Sequence, residues 1–414
     1  MAIIRPFRAY RPVNDLVEYV AAPPYDVVNS EEARALVKDN KYSFLRVDRG
    51  EVNLSKDIYK YDDRVYECSR DLLDSMIKEG IYIQDKEPMF YIYRQIMNGK
   101  NQTGLVICAS IEEYIENKIK KHENIRDDKG IDRVKHIKYC NAHTGPIFLV
   151  YRENKSITDI INKYIKLNPI YNFVADDNIT HVVWKIDNKD DIKYITESFY
   201  NIENLYIADG HHRIEAAARV AMENKKNNNK DNFNDEINYF LAIAYPDSEV
   251  NILDYNRTIK DLNGYTKKEF LEEVSKKFKI KKSDNNKPVS PERKHTFGMY
   301  IDKEWYILEA NREIINEKVK SEELDVSILQ NNILAPILGI DNPKKSDRIE
   351  FIGGIRGLKE LEKRADTDMA VSFSLYPIEM SDIMSIADEG GIMPPKSTWF
   401  EPKPRSGIFI HKFN

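Results

Sequence analysis

Short runs of β-branched and aromatic residues recur along the chain and predict strands. The clearest runs are residues 89–93, 105–109, 146–151, 239–245 and 370–375. Asn98-Gly99 lies between the first two runs. This pair predicts a hairpin turn, because both central positions of such a turn favour a positive φ.

Two capping boxes mark helix starts, at Asn29 with Glu32 and at Thr266 with Glu269. In such a box each side chain satisfies a free backbone amide of the first helical turn. Strands and helices are mixed without a regular βαβ rhythm. The pattern therefore predicts a mixed α+β fold rather than a doubly wound sheet.

Two stretches of low complexity interrupt this pattern. Residues 224–235 are rich in Asn, Lys and Asp, so they bury little apolar surface and are expected to form a mobile loop. Residues 281–294 carry two prolines and separate the alternating pattern before them from the strand-like run after them. We therefore expect two lobes, residues 1–280 and residues 281–414.

Composition narrows the classes of function. The 414 residues include 63 basic and 68 acidic side chains, a formal net charge of −5, so nucleic acid is a poor candidate partner. Three cysteines without a CxxC pair argue against a disulfide framework and a cysteine-rich zinc site. The sequence predicts a soluble cytoplasmic protein without a membrane span or signal peptide, and it leaves the oligomeric state open, a homo-oligomer included.

The segment around Asp209-Gly210 is the most informative for chemistry. An apolar strand runs into this pair, and a helix is expected to begin near Arg213. Such a turn directs backbone amides and the positive end of a helix dipole to one place, where His211, His212 and Arg213 also gather. The pattern therefore predicts an anion site. The alternative is that Asp209 only caps the helix and the histidines are ordinary polar surface.

Two further segments offer reactive side chains. His122-Glu123 precedes a charged helix, and a carboxylate beside basic groups can orient a hydroxyl and accept its proton. Near the C-terminus, a proline-rich loop presents Lys396, Ser397 and Thr398. The GxxxxG sequence that precedes Lys-Ser/Thr in a Walker motif is missing, so a Walker site is rejected. The loop either forms a wall of the functional site or packs against the core and seals it.

Six motifs follow one another along the chain. They are Arg5-Pro-Phe-Arg-Ala-Tyr-Arg-Pro, Ala22-Pro-Pro-Tyr-Asp-Val-Val, His122-Glu-Asn-Ile-Arg with Asp132-Arg133, Ala208-Asp-Gly-His-His-Arg, Tyr255-Asn-Arg and Met393-Pro-Pro-Lys-Ser-Thr-Trp-Phe-Glu-Pro-Lys. In this order they resemble a widespread prokaryotic family of unknown function that is related to the free serine kinases and whose members often carry a ParB-type partition-protein label. The resemblance covers nearly the whole chain, with Asn256 as a departure where the family usually has histidine.

The resemblance implies a mixed-sheet core of the ParB and serine-kinase type, with an additional C-terminal α/β lobe that closes the site. It also implies phosphorylation of free L-serine to O-phospho-L-serine by ATP or ADP with Mg²⁺. Glu123 matches the family's catalytic glutamate, and Asp209 would hold magnesium or the serine ammonium. The residues expected at the nucleotide phosphates are Arg126, Gly210, His211, His212 and Arg213, with Lys396, Ser397 and Thr398 as contacts from the second lobe.

Two other functions use the same residues differently. A nucleotide-binding switch of the partition type would keep the pocket without kinase activity, although no basic recognition helix is visible to bind DNA. A nuclease would need clustered carboxylates for two metal ions, and the acids of the sequence do not gather in that way.

Overall fold

The structure is a computed structural model that describes residues 1–123, 127–227 and 235–413, except for the side chains of 127–129 and 227. The chain divides into two compact units. Unit 1 comprises Met1–Val250 together with the segment from Pro402 onward, and unit 2 comprises Asn251–Glu401. In the described part of the chain, no helix combines the length and apolar character needed to cross a membrane.

Unit 1 is a mixed α/β structure. Its strands are β1 (Ile4–Arg5), β2 (Tyr10–Pro12), β3 (Tyr82–Gln84), β4 (Phe90–Met97), β5 (Lys100–Ser110), β6 (Ile119–Lys120), β7 (Ala142–His143), β8 (Ile147–Tyr151), β9 (Tyr171–Val174), β10 (Thr180–Ile186), β11 (Leu205–Asp209), β12 (Tyr239–Pro246) and β21 (His411–Lys412). Its helices are α1 (Val17–Val20), α2 (Ser30–Val37), α3 (Leu45–Asp48), α4 (Asp63–Lys78), α5 (Ile111–Ile115), α6 (Asp127–Cys140), α7 (Lys155–Tyr164), α8 (Lys189–Tyr200) and α9 (His211–Asn227).

A large mixed sheet organises unit 1. Its strand order is β6-β11-β8-β12-β5-β4-β10-β9, with β1 on β5. The pairs β6–β11 and β8–β12 are parallel, whereas β8–β11 and β5–β12 are antiparallel. The central strands β5, β8 and β12 are buried almost throughout, which is why they read as continuous apolar runs in the sequence.

Unit 2 contains a second, smaller sheet. Its strands are β13 (Ile252–Leu253), β14 (Tyr255–Ile259), β15 (Phe278–Lys282), β16 (Thr296–Ile301), β17 (Glu304–Ala310), β18 (Ile349–Gly353), β19 (Val371–Leu375) and β20 (Trp399–Phe400). Its helices are α10 (Lys267–Ser275), α11 (Lys320–Glu323), α12 (Asp325–Leu329), α13 (Leu358–Thr367) and α14 (Met380–Asp388). The main sheet has the order β15-β17-β16-β19-β14-β18.

Local predictions from the sequence are confirmed. All five predicted strands form, as β4, β5, β8, β12 and β19. Asn98 and Gly99 have φ of 52° and 78° and connect β4 to β5, and both capping boxes are present. Residues 228–234 of the predicted loop lie outside the described residues.

The lobe boundary expected at residues 280 and 281 falls inside β15. This strand pairs with β17 from Phe278↔Ala310 to Lys282↔Tyr306, so the chain continues across the expected boundary within one sheet. The proline-containing stretch after it connects β15 to β16 inside unit 2. The structure changes unit at Val250–Asn251 instead, and the chain returns to unit 1 at Pro402.

Candidate functional site

The parallel pairing of β6 with β11 brings two of the motif segments together. Ile119 lies opposite Leu205, and Lys120 lies opposite Tyr206. Because parallel strands end at the same edge of a sheet, the residues after β6 and those at the end of β11 meet there. The ring centroids of His122 and His211 are 4.7 Å apart, in an edge-to-face contact.

The turn at Asp209-Gly210 fixes the direction in which α9 begins. The register of β11 against β8 shifts between Ile207 and Asp209, a bulge that redirects the end of the strand. Gly210 then has a φ of +96°, in the left-handed region that favours glycine. A Cβ at Gly210 would lie 3.2 Å from Arg213 Nε, so the glycine also lets the guanidinium pack against the turn.

Asp209 forms an ion pair with Lys403. The Lys403 ammonium donates to Asp209 Oδ2 at 2.6 Å, and the Gly210 amide donates to Oδ1 at 2.8 Å. Burial by itself raises the pKa of Asp209, but the positive charges of Lys403 and Arg213 outweigh it and hold this pKa well below its ordinary value. The carboxylate is therefore ionised and already has a cation on one oxygen.

Asp209 consequently does not fit the expected role of magnesium ligand. A metal on Oδ2 would have to displace the Lys403 ammonium, and Mg²⁺ is strict about its octahedral oxygen geometry. Among the residues that the structure describes, no group of three or more His, Cys, Asp or Glu side chains is arranged to hold a metal ion.

Arg213 connects this turn to the start of β8. Its Nη1 donates to the Pro146 carbonyl at 2.6 Å, which fixes the plane of the guanidinium. Its Nε is buried and has no hydrogen-bond partner within the described parts of the chain. A buried guanidinium donor without a partner is costly, so Nε is available to an anionic ligand.

The two histidines in contact are neutral at physiological pH. Burial is the main cause, and it lowers the pKa of His122 to about 3 and that of His211 to about 4. Considering residues 1–123, 127–227 and 235–413, both ring nitrogens of His122 and Nε2 of His211 are buried without a hydrogen-bond partner. These rings therefore offer neutral hydrogen-bonding atoms, not positive charge. His212 follows them and is only half-buried.

Glu123 lies directly after His122 and is half-buried, so its carboxylate can meet a solute at this edge. Its negative charge acts on the His122 ring, where it opposes the effect of burial on the pKa. Arg126, predicted to bind phosphate, lies outside the described residues.

A cavity with about 420 Å³ of empty volume adjoins Arg213 within unit 1. Its polar walls combine two guanidiniums, a carboxylate, two imidazoles and hydroxyl groups from distant parts of the sequence. The lining residues that carry these groups are Tyr25, Asp48, Arg133, His136, His143, Thr144, Arg213 and Ser406.

Arg133 and Asp48 are the buried charges of this cavity. The Arg133 guanidinium lies 3.9 Å from the centroid of the Tyr25 ring and forms an ion pair with Asp132 at 2.8 Å. Asp48 Oδ1 accepts a hydrogen bond from the Thr144 hydroxyl at 2.8 Å. His143 Nε2, also buried here, has no partner among the described residues. The cavity therefore presents both signs of charge to a small polar molecule.

Lys396, Ser397 and Thr398 lie in unit 2, just before β20. The Lys396 carbonyl accepts a hydrogen bond from Arg257 Nη2 at 3.0 Å, and the Ser397 hydroxyl donates to the Pro394 carbonyl at 2.6 Å. The fifth and sixth motifs thus meet each other inside unit 2. A role of these three side chains in the site stays a prediction.

Several residues of the site have no role that the sequence predicts. Tyr25, Arg133 and Lys403 lie inside the second, third and sixth motifs. The motifs therefore include these residues but do not indicate what their side chains bind. Asp48 is different, because it lies in a short helix, α3, outside every motif. Nothing in the local sequence distinguishes it from a surface aspartate.

The chain matches a family model over most of its length. The model of a family described as "Protein of unknown function (DUF1015)" matches residues 4–327. No curated protein matches the chain.

Several solved structures are similar to parts of the chain at low identity. A structure titled "Free serine kinase in complex with AMP" has a TM-score of 0.36 and 12% identity, covering 74% of this chain and 91% of that one. Truncated SbnI from Staphylococcus aureus has a TM-score of 0.38 and 8% identity, with coverages of 73% and 85%. A conserved hypothetical protein from Pyrococcus furiosus has a TM-score of 0.35 and 12% identity, with coverages of 76% and 96%. None of these three names refers to a partition protein, and TM-scores of this size do not establish a common fold.

Proposed function

This chain belongs to the DUF1015 family, and we propose that it is a kinase that transfers a phosphoryl group from ATP or ADP to the hydroxyl of free L-serine. The observation that carries the proposal is the sheet edge where β6 and β11 end. That edge receives the carboxylate of Glu123, the Gly210 turn with the amino end of α9, and the Arg213 guanidinium. The motif resemblance to a family related to free serine kinases supports the choice of acceptor.

The nucleotide phosphates are assigned to the turn between β11 and α9. The first amides of a long helix lack internal partners and carry partial positive charge, so they favour an anion. Arg213 adds a fixed guanidinium beside Gly210, and its Nε has no hydrogen-bond partner among the described residues. His211 contributes as a neutral hydrogen-bonding ring, because burial keeps its pKa at about 4.

Glu123 is assigned as the general base. The serine oxygen forms a bond to the terminal phosphorus, the bond from that phosphorus to the bridging oxygen breaks, and the hydroxyl proton passes to the Glu123 carboxylate. Phosphoryl transfer depends mainly on positioning and on electrostatic stabilisation of the moving charge, and this edge offers both. Magnesium enters with the nucleotide as part of the substrate, and no step here is assigned to it.

The acceptor is assigned to the cavity beside Arg213. A free amino acid carries a carboxylate and an ammonium, and the cavity wall holds the guanidiniums of Arg133 and Arg213 as well as the carboxylate of Asp48. Opposite charges at separate points on the wall match such a zwitterion. Asp48 replaces Asp209 as the proposed partner of the ammonium, because Asp209 is engaged by Lys403.

The proposal is tested by incubating the purified chain with labelled ATP or ADP and a panel of small hydroxyl compounds. L-Serine, ethanolamine and glycerate share a primary hydroxyl, but the second lacks the carboxylate and the third lacks the ammonium. We expect O-phospho-L-serine and little phosphorylation of the other two. Nucleotide binding without transfer to any acceptor would favour the nucleotide-switch function, and absence of nucleotide binding would overturn the proposal.

A further inference from the structure

A second cavity lies wholly within unit 2, and the proposed kinase chemistry does not use it. It has about 330 Å³ of empty volume, part of which is open solvent. The connection between α11 and α12 forms one wall, and the residues between β19 and α14 form another. The lining residues on which the inference rests are Lys294, Leu324, Asp325, Tyr376, Ile378 and Asp382.

Asp325 is the unusual residue of this cavity. It is 5% exposed, and its Oδ1 accepts a hydrogen bond from the His295 amide at 2.8 Å. Its Oδ2 is buried and has no hydrogen-bond partner in the part of the chain that the structure describes. A buried carboxylate oxygen without a donor is costly and rare in native proteins. Asp325 therefore lines the cavity with a carboxylate to which the described residues supply no donor at Oδ2.

The cations around the cavity are engaged by other acids. Lys294 Nζ lies 2.8 Å from Asp382 and 3.2 Å from Glu379. Lys320 Nζ lies 2.9 Å from Glu323. The wall thus carries two cations and three acids, and the acid left without an ion pair among the described residues is Asp325. This excess of negative charge favours a cation as the occupant.

Apolar groups form the rest of the wall. Leu324 and Ile378 are each 7% exposed, and Tyr376 stands beside them. We propose that this cavity binds a small organic cation, a primary ammonium on a short apolar chain, whose ammonium donates to Asp325 Oδ2. The apolar chain would then contact Leu324, Ile378 and Tyr376. This site is independent of the kinase proposal.

The ionisation of Asp325 gives the binding a pH signature. Burial is the main cause, and it raises the pKa of Asp325 to about 7, which the Lys294 charge opposes and the Asp382 charge reinforces. The other titratable groups beside the cavity are His295, Lys320, Glu323, Tyr376 and Glu379. Because an ammonium binds the ionised carboxylate, its affinity should rise between pH 6 and pH 8, with release of a proton near pH 7.

The test uses the full-length chain and three probes of similar shape, n-butylammonium, n-butanol and butanoate, with titration calorimetry at pH 6 and pH 8. We expect saturable binding of n-butylammonium that strengthens with pH, about tenfold or more weaker binding of n-butanol, and none of butanoate. Equal affinity of the parent chain for n-butylammonium and n-butanol would overturn the proposal. So would the absence of saturable n-butylammonium binding at pH 8.

A matched pair of variants adds a second readout. Asp325→Asn keeps the shape and removes the charge, and it should lose at least about tenfold in affinity for n-butylammonium together with its pH dependence. Asp341→Asn, an exposed aspartate of the same unit, should bind like the parent chain. Unchanged affinity in a folded Asp325→Asn protein would show that Asp325 is not the anchor.

Discussion

Glu123 is the side chain on which the proposed transfer most directly depends. Glu123→Gln keeps the shape of the group but cannot take the serine proton. We therefore expect turnover to fall by about 10²–10⁴-fold, the usual contribution of a general base, while the affinity for nucleotide is retained. Single-turnover transfer of label to serine measures the first quantity, and calorimetry with ADP measures the second.

The control for this variant is Glu87→Gln, which makes the same chemical change at an exposed position of unit 1. It should leave turnover unchanged. Parent-like turnover of Glu123→Gln, under conditions where chemistry limits the rate, would remove Glu123 from the role of base.

His211 makes the stability of the protein depend on pH. Its pKa is about 4 in the folded protein, against about 6.5 in an unfolded chain, so between these values the unfolded state binds more protons. The free energy of unfolding therefore rises with pH across this window, and stability is lost as the pH falls below 6.5. One such group lowers the free energy of unfolding by about 1 kcal/mol when the pH falls from 7 to 5.5.

His211→Gln should remove this share of the dependence. Urea unfolding at pH 5.5 and pH 7 gives the change in free energy for the parent and for the variant. We expect the parent to lose about 1 kcal/mol more than the variant on acidification. An identical loss in both would show that the His211 ring is not held neutral by the fold.

At the scale of elements, the turn between β11 and α9 is the feature that the sequence predicts best. An apolar run followed by Asp209-Gly210 identifies the strand and the turn, and the helix expected to begin near Arg213 begins at His211. Its partner strand β6 is only two residues long. Such a strand has no measurable periodicity, so its parallel pairing with β11 depends on the rest of the sheet and could not be predicted locally.

A pair of glycine substitutions separates the strain at this turn from its function. Gly80 and Gly210 both have positive φ, +76° and +96°, but a Cβ at Gly80 would have no atom of the described residues within 4 Å. Replacing either glycine with alanine should destabilise the protein by about 1–2 kcal/mol, since alanine disfavours this backbone region. Only Gly210→Ala places a methyl group against Arg213 Nε.

We therefore expect Gly210→Ala to weaken ADP binding by about tenfold or more, while Gly80→Ala binds ADP like the parent. Urea unfolding measures the loss of stability in both variants, and calorimetry measures their affinity for ADP. Equal ADP affinity for all three proteins would place the phosphate site away from the β11–α9 turn.

At the scale of the whole molecule, the course of the chain explains what the sequence could not predict. The chain leaves unit 1 at Val250 and returns at Pro402. The returning segment is buried at Ile408, Phe409 and Ile410, and β21 pairs with β7. A sequence read in order gives no sign that its last residues complete the first unit, so it predicts two lobes with a single boundary.

The return of the chain also delivers Lys403 to Asp209, 194 positions away in the sequence. The side chains of Lys403 and Asp209 are 17% and 23% exposed, so the ion pair is partly shielded from solvent. Removing either partner takes away the charge that lies nearest to the other at the end of β11. We therefore expect the losses of unfolding free energy caused by the two single substitutions to be coupled, so that they do not simply add in the double variant.

A double-mutant cycle of Lys403→Met, Asp209→Asn and the combined variant measures this coupling by urea unfolding. We expect each single variant to lose about 1–2 kcal/mol and the double variant to lose about 1 kcal/mol less than the sum, because solvent still reaches the pair. Lys412→Met is the control, since Lys412 pairs with Asp74 at 2.9 Å in the same segment and should show no coupling to Asp209. Strict additivity of Lys403→Met and Asp209→Asn would mean that the two charges do not stabilise each other and that Asp209 is open to other ligands.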